Sequence, residues 1–278
     1  MEVVIAKHAG FCFGVKRALQ LAEEARKSRP GEVATLGEII HNPQVVERLR
    51  QAGVRQVESP TEMKAGTLIL SCHGVGPEIR EEAEKAGLEV IDATCPFVAR
   101  AQKLVSLLAK EGYEIVIFGD RGHREVMGLE GYGRGKARII QNVEEAKELA
   151  FRQKLGVVVQ TTQEIGRYQE LLSLLGEKCQ ELRAFNTICE ATLQRQKSAL
   201  ELARQVDLML VVGGRNSANT RRLAEVCAST GVEMRHIETA AEISPGWLKG
   251  RQRVGITAGA STPQWVIDEV TERLTGEF

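Results

Sequence analysis

Six cysteines lie along the chain: Cys12, Cys72, Cys95, Cys179, Cys189 and Cys227. A thiolate ligates iron or zinc, and it forms where the surroundings favour it over the thiol. No two of the six make a Cys-x-x-Cys pair. That removes zinc ribbons, thioredoxin-type sites and ferredoxin-type cluster runs. It also removes the single-loop cysteine triplet of radical enzymes. Any shared centre must be assembled from residues distant in sequence. Three cysteines stand in similar frames: Gly-Phe-Cys12-Phe-Gly-Val-Lys-Arg17, Ala-Thr-Cys95-Pro-Phe-Val-Ala-Arg100 and Thr-Ile-Cys189-Glu-Ala-Thr-Leu-Gln-Arg195. An extended segment leads into each, and a basic helix follows. Each sulfur is therefore expected at a helix N-terminus, where thiolate is favoured. Pro96 fits the first turn of such a helix. The competing reading is a buried, inert thiol, which suits Cys179 and Cys227 inside helical stretches. Cys12, Cys95 and Cys189 read as ligands of one iron–sulfur cluster, with a zinc site as the rival.

A second set of polar residues follows apolar runs. His41-Asn42 comes after Val-Ala-Thr-Leu-Gly-Glu-Ile-Ile, and Ser-Cys-His73-Gly after Thr-Leu-Ile-Leu. Gly-His123-Arg-Glu125 comes after Ile-Val-Ile-Phe-Gly-Asp-Arg, and Gln160-Thr161-Thr162 after Gly-Val-Val-Val. Asn216-Ser217-Ala218-Asn219 and Gly-Ala-Ser261-Thr262 close the set. Ser217, Asn219 and Ser261 precede helical segments, where free N–H groups attract phosphate; simple helix capping competes with that reading. His41, His73 and His123 can add charge-assisted bonds to an anion, whereas His8 and His236 read as surface or structural residues. Glu125 is the proton-donor candidate, against a solvated surface carboxylate. A carboxylic acid donates near neutral pH only when burial or a neighbouring negative charge raises its pKa. The hydroxyls of Thr161 and Thr162 can relay a proton, hold Glu125, or serve only the strand.

These residues need elements to position them. Val3–Ala6, Thr67–Ser71, Ile115–Phe118, Val157–Gln160, Leu208–Val212 and Val254–Thr257 read as buried parallel strands. Pro43–Ala52, Ala99–Glu111, Gln194–Gln205 and Pro263–Leu274 read as amphipathic helices. The alternation predicts α/β architecture with parallel sheets. Ligands of open α/β sheets bind beyond the carboxyl ends of the strands, so the polar groups are expected to converge there. The repeated cysteine frame suggests three lobes, each giving one cysteine to a common centre. The expected lobes are 1–96, with Cys12 and, near its end, Cys95; 97–190, with Glu125 and Thr161; and 191–278, with Ser217, Asn219 and Ser261.

The bulk properties set bounds. The 278 residues are 43% hydrophobic, and 37 Lys plus Arg balance 37 Asp plus Glu. Zero net charge argues against a general nucleic-acid binder. No run approaches the roughly 18 apolar residues of a membrane span. The first residues lack a signal-peptide pattern, so a cytoplasmic protein without disulfides is expected. There is no Gly-x-Gly-x-x-Gly and no phosphate-binding Gly-x-x-x-x-Gly-Lys loop. A tightly bound nicotinamide or ATP is unsupported, and electrons are expected from a protein donor.

Together these residues resemble the 4-hydroxy-3-methylbut-2-enyl diphosphate reductase family of the non-mevalonate isoprenoid route. The motifs are Gly-Phe-Cys12-x-Gly-Val, His41-Asn42, His73-Gly-Val, Asp-Ala-Thr-Cys95-Pro, Gly-His123-x-Glu125-Val, Gln-Thr161-Thr162, Asn-Thr-Ile-Cys189, Asn216-Ser217-x-Asn219 and Thr-Ala-Gly-Ala-Ser261. The resemblance implies three similar α/β lobes, mainly parallel, in pseudo-threefold arrangement around a central 4Fe–4S cluster. It implies that Cys12, Cys95 and Cys189 bind three irons and leave one open. His41, His73, His123, Thr161, Ser217, Ala218, Asn219 and Ser261 would bind the allylic diphosphate. Glu125, His123 and Thr161 would be catalytic. The implied oxidoreductase removes a hydroxyl with two electrons and two protons, drawing electrons from a ferredoxin- or flavodoxin-type donor. It needs neither nucleic acid nor membrane. A non-catalytic iron–sulfur sensor or carrier is the alternative. Three positions depart from the family's habit: Ala218 replaces a second serine, Arg124 a common proline, and Cys72 a small residue.

Overall fold

The computed structural model describes residues 1–276. Its contacts divide the chain into two compact units. The larger comprises Lys16–Ile40 and Val46–Cys189. The other comprises Met1–Val15, His41–Val45 and the residues from Glu190 onward.

The larger unit holds two four-stranded sheets. One contains β2 (Val33–Leu36), β3 (Val54–Val57), β4 (Thr67–Leu70) and β5 (Glu89–Asp92), in the spatial order β3-β2-β4-β5. The other contains β6 (Glu114–Phe118), β7 (Ala137–Ile140), β8 (Arg152–Val159) and β9 (Cys179–Phe185), in the order β7-β6-β8-β9. Both follow one winding: second, first, third, fourth. The remaining unit holds β1 (Glu2–Ile5), β10 (Leu208–Val212), β11 (Glu233–Ile237) and β12 (Arg253–Ala258), in the order β1-β12-β10-β11. Here β11-β10-β12 repeats the winding, and β1 takes the fourth place. Every pairing in all three sheets is parallel.

The place of β1 departs from a lobe running 1–96. It is in register with β12 from Glu2↔Arg253 to Ile5↔Ile256, and Val3 packs on the core built by residues 208–274. A sequence repeat marks equivalent segments, but not which neighbour supplies each one's hydrogen bonds. Cys179 also departs from expectation: it opens β9 and is not helical.

Helices connect the strands, as parallel pairing requires. They are α1 (Phe13–Ser28), α2 (Pro43–Gln51), α3 (Pro77–Lys85), α4 (Pro96–Lys110), α5 (Arg124–Tyr132), α6 (Val143–Lys147), α7 (Ile165–Gly176), α8 (Glu190–Ala203), α9 (Ala218–Ala228), α10 (Pro245–Leu248) and α11 (Gln264–Gly276). Pro43, Pro77, Pro96 and Pro245 each open a helix, where the missing N–H is an orphan anyway.

Burial on both sheet faces explains the unbroken apolar strands. In β10, Leu208, Leu210 and Val212 pack with Val266, Ile267 and Val270 of α11. The alternate residues Met209 and Val211 pack with Ala199 and Ala203 of α8 and Leu223 of α9. Gly255 of β12 leaves room on that second face: a Cβ there would meet Met209 Sδ at 2.5 Å and Leu202 at 3.2 Å. Among the described residues no helix is long and apolar enough to cross a membrane.

Candidate functional site

The cysteines sit where the winding puts them. After β5, β9 and β1, the fourth strand of each sheet, a short loop leads to Cys95, Cys189 and Cys12. Each cysteine directly precedes a helix: α4, α8 and α1. One backbone bond recurs three times. Cys95 N–H donates to the Cys72 carbonyl (3.0 Å), Cys189 N–H to that of Thr161 (3.1 Å) and Cys12 N–H to that of Ala260 (3.2 Å). The three acceptors each lie just past the neighbouring third strand: β4, β8 and β12.

The thiols sort by surroundings. Cys12, Cys95 and Cys189 are half-buried and outside any disulfide. Cys72 and Cys227 are buried, and burial pushes the Cys227 thiol up to about 12. Burial raises Cys179 as well. A metal needs sulfur donors it can reach, and the first three stand directly ahead of helices of 16, 15 and 14 residues. Their donor chemistry fits an iron–sulfur cluster.

The larger unit carries the proton-donor candidate. His123 caps α5, its Nδ1 accepting the Glu125 N–H at 3.2 Å. An accepting Nδ1 leaves the ring proton of a neutral imidazole on Nε2. Glu125 follows in the first turn, only 2% exposed. Its carboxylate accepts the Thr161 N–H at 2.7 Å and the Thr161 hydroxyl at 2.8 Å. Burial raises its pKa to about 7; the Thr161 bonds oppose the shift and the Asp120 carboxylate adds to it. The surface-carboxylate reading of Glu125 is thereby ruled out. Thr161 uses its whole peptide: N–H to Glu125, carbonyl to Cys189. The carboxylate's threonine partner is Thr161, the first of the two threonines. His73 stands edge-on to His123, ring centroids 5.5 Å apart, and its Nδ1 is 3.4 Å from Ser71 Oγ.

Arg124 does not leave this turn loose. Its guanidinium pairs with Glu58 at 2.7 Å and lies over Gly37, whose φ is +63° and where any side chain would overlap it.

The other unit carries most of the phosphate candidates. Ser217 caps α9, accepting the Thr220 N–H at 3.3 Å. Ala218 and Asn219 follow in the first turn, both buried. Asn219 Oδ1 accepts the Ala260 N–H at 3.0 Å, and the Ala260 carbonyl holds Cys12. Ser261 Oγ donates to the His41 carbonyl at 2.9 Å. Asn42 Oδ1 accepts the Val45 N–H at 3.0 Å and so caps α2. His236 serves the sheet, its Nε2 2.8 Å from the Gly213 carbonyl, and His8 is exposed.

Thus Cys95, Cys189, His73, His123, Glu125 and Thr161 belong to one unit, and Cys12, His41, Ser217, Ala218, Asn219 and Ser261 to the other. Sequence reasoning missed two things here. Asp120 acts on Glu125 through space. Glu125 and Asn219 are also equivalent: each is the second residue after a helix cap, and each accepts the N–H of the residue whose carbonyl holds a cysteine. Aligning His123-Arg124-Glu125 with Ser217-Ala218-Asn219 would have revealed this.

The family model described as LytB protein matches residues 3–275. A 4-hydroxy-3-methylbut-2-enyl diphosphate reductase of Geobacter metallireducens is 51% identical over 274 residues, 99% of this chain and 97% of that protein. One of the same name from Pelobacter propionicus is 52% identical, covering 99% and 98%. Among solved structures, the E-1-hydroxy-2-methyl-but-2-enyl-4-diphosphate reductase of Plasmodium falciparum superposes with a TM-score of 0.95 at 30% identity, covering 99% of this chain and 88% of that one. A second, described as (E)-4-hydroxy-3-methyl-but-2-enyl diphosphate reductase, the terminal enzyme of the non-mevalonate pathway, gives 0.71 at 45% identity, covering 99% of both.

Proposed function

The chain belongs to the LytB protein family, and from that membership we infer that it reduces 4-hydroxy-3-methylbut-2-enyl diphosphate in the last step of the non-mevalonate route. The observation that carries this is identity of about half over 99% of the chain to reductases of that name. The enzyme is an iron–sulfur oxidoreductase acting on a diphosphate. The carbon–oxygen bond of the hydroxymethyl group breaks, two electrons and two protons enter, water leaves, and isopentenyl and dimethylallyl diphosphates form.

Cys12, Cys95 and Cys189 would hold one 4Fe–4S cluster. When bound, that group supplies the electrons and, at the iron without a protein ligand, Lewis acidity for the leaving hydroxyl. A ferredoxin- or flavodoxin-type protein would serve as the electron donor. Substrate binding falls to His41, His73, the Ser217 hydroxyl, the Ala218 N–H, Asn219 and Ser261, which grip the diphosphate. Ser261 turns its hydroxyl from the His41 carbonyl to a phosphate oxygen. His123 donates its Nε2–H beside the hydroxymethyl end.

Glu125 stores the proton. With a pKa of about 7, it carries a proton on a substantial fraction of molecules at neutral pH, and the negative charge of bound diphosphate raises that fraction. Its Oε1 accepts the Thr161 N–H, so the proton belongs on Oε2, facing the Thr161 hydroxyl. Thr161 then accepts from Glu125 and releases its own hydroxyl proton outward, as positioned acid catalysis requires. A non-catalytic carrier has no use for a buried acid of raised pKa with a hydroxyl relay.

The test begins with anaerobic purification and assay of iron, sulfide and zinc. Substrate is then added to dye-reduced protein while dye reoxidation and diphosphate products are followed. Iron with sulfide and both products are expected. About one zinc with no sulfide, or a reoxidation rate indifferent to substrate, would overturn the reading.

A further inference from the structure

Two arginines on helices behind cluster cysteines are used by neither proton delivery nor diphosphate binding. Arg195 lies in α8, behind Cys189, and is 3% exposed. Its Nη2 donates to the Gly10 carbonyl at 2.7 Å and its Nη1 to the Ala191 carbonyl at 3.2 Å. Gly10 stands two residues before Cys12. Its φ of +90° belongs to the left-handed region, and a Cβ there would press on Ile267 at 3.1 Å, so glycine is required and the carbonyl's direction is set. Arg17 lies in α1, behind Cys12. Its Nη1 donates to the Thr94 carbonyl at 3.1 Å and its Nη2 to the Asp92 carbonyl at 3.3 Å. Thr94 directly precedes Cys95, and Asp92 Oδ1 accepts the Thr94 N–H at 2.9 Å.

The same device therefore occurs twice: a guanidinium on the helix after one cysteine donates to a backbone carbonyl one or two residues before another, Arg195 to Gly10 and Arg17 to Thr94. Guanidinium stays charged at any working pH and presents several donors in a fixed plane. Charge-assisted bonds are stronger than neutral ones. A four-iron cluster with three thiolate ligands is anionic, and it becomes more so on reduction. A fixed positive charge close in sequence and space to its ligand loops therefore favours the reduced state.

We propose that Arg195 and Arg17 are positioning residues for the cluster, each fixing the loop that presents a cysteine ligand and biasing the cluster toward its reduced state. This rests on the assignment of Cys12 and Cys95 as ligands.

The test uses anaerobically purified holoenzyme. Arg195→Met, Arg195→Lys, Arg17→Met and Arg17→Lys are compared with Arg222→Met. Arg222 is another buried arginine, in α9, whose Nη1 pairs with Glu225 at 2.6 Å. The readouts are the midpoint potential, titrated by electron paramagnetic resonance, and the rate at which a chelator strips iron. Both methionine variants should show a lower midpoint than wild type and iron loss about 10- to 100-fold faster, the usual effect of removing outer support from a metal site. The lysine variants should recover the midpoint, because the charge returns, but not the slow iron loss, because the planar fork does not. Arg222→Met should match wild type in both. Arg17 is only half-buried, so its variants carry the test if Arg195→Met fails to fold. Wild-type midpoint and iron retention in Arg17→Met, or equal changes in Arg222→Met, would overturn the proposal. Full iron content in Cys12→Ser would instead remove the ligand assignment beneath it.

Discussion

Glu125 owes its raised pKa first to burial, and the two bonds from Thr161 pull the other way. The balance fixes a pH signature. The folded pKa of about 7 exceeds the ordinary 4.5, so between those values the folded state holds more protons than the unfolded chain. Stability is then full below about pH 4.5 for this group and falls as pH rises toward and through 7, by up to about 3 kcal/mol. Glu125→Gln should flatten that slope in denaturant titrations across pH, keep wild-type iron, and lower turnover by about 100-fold or more. On the proposed role of Glu125 as proton donor, turnover of the parent should decline as pH rises through about 7. Thr161→Val removes a bond that holds the pKa down, so the decline should move to higher pH while the rate drops; Thr161→Ser should restore both. Much of this was legible in the sequence: a histidine and a carboxylate two apart, glycine before them, after an apolar strand. Asp120 escaped notice because its influence is Coulombic and leaves no spacing rule. The double use of the Thr161 peptide is a backbone property that residue type does not report.

Helix starts do two jobs, and their variants can separate them. Ser217 caps α9, so Ser217→Ala should cost about 1 kcal/mol of stability. If the hydroxyl also meets phosphate, KM for the diphosphate should rise beyond what a neutral cap change elsewhere produces. Asn142→Ala at α6, another side-chain cap, supplies the comparison. Ala218→Ser returns a hydroxyl donor to the first turn and should lower KM. Strands β4, β6, β8, β10 and β12 could be read in advance from apolar runs that are buried on both faces, and the edge strand β1 from its run Val3–Ile5. Besides β2, a buried strand of only four residues, strands β3, β5, β7, β9 and β11 are absent from the segments read as strands, and these five share a cause. Each carries charge, as in Glu89 of β5, Glu181 and Arg183 of β9, and Glu233 and Arg235 of β11, and several of their residues face solvent. Half-exposed strands of four to seven residues blur the two-residue period on which such reading depends.

At the scale of the molecule, one winding is used three times, and the third use is completed by the first strand of the chain. The equivalence was visible in the three cysteine frames; the exchange of β1 into the last sheet was not, since it depends on long-range pairing. That exchange sets a timetable. During synthesis Cys12 is made early, but the strand that pairs with β1 and the Ala260 carbonyl that fixes the Cys12 amide come last. At ~5–20 residues per second the wait is on the order of tens of seconds. Chains arrested on the ribosome before residue 253 should therefore hold no iron above background after anaerobic isolation, and released full-length chains should load it. A nascent chain carrying iron before β12 exists would contradict this. On the proposed ligand set, the Cys12 thiol therefore stays unligated until β12 has been made and the two distant strands can become neighbours in one sheet.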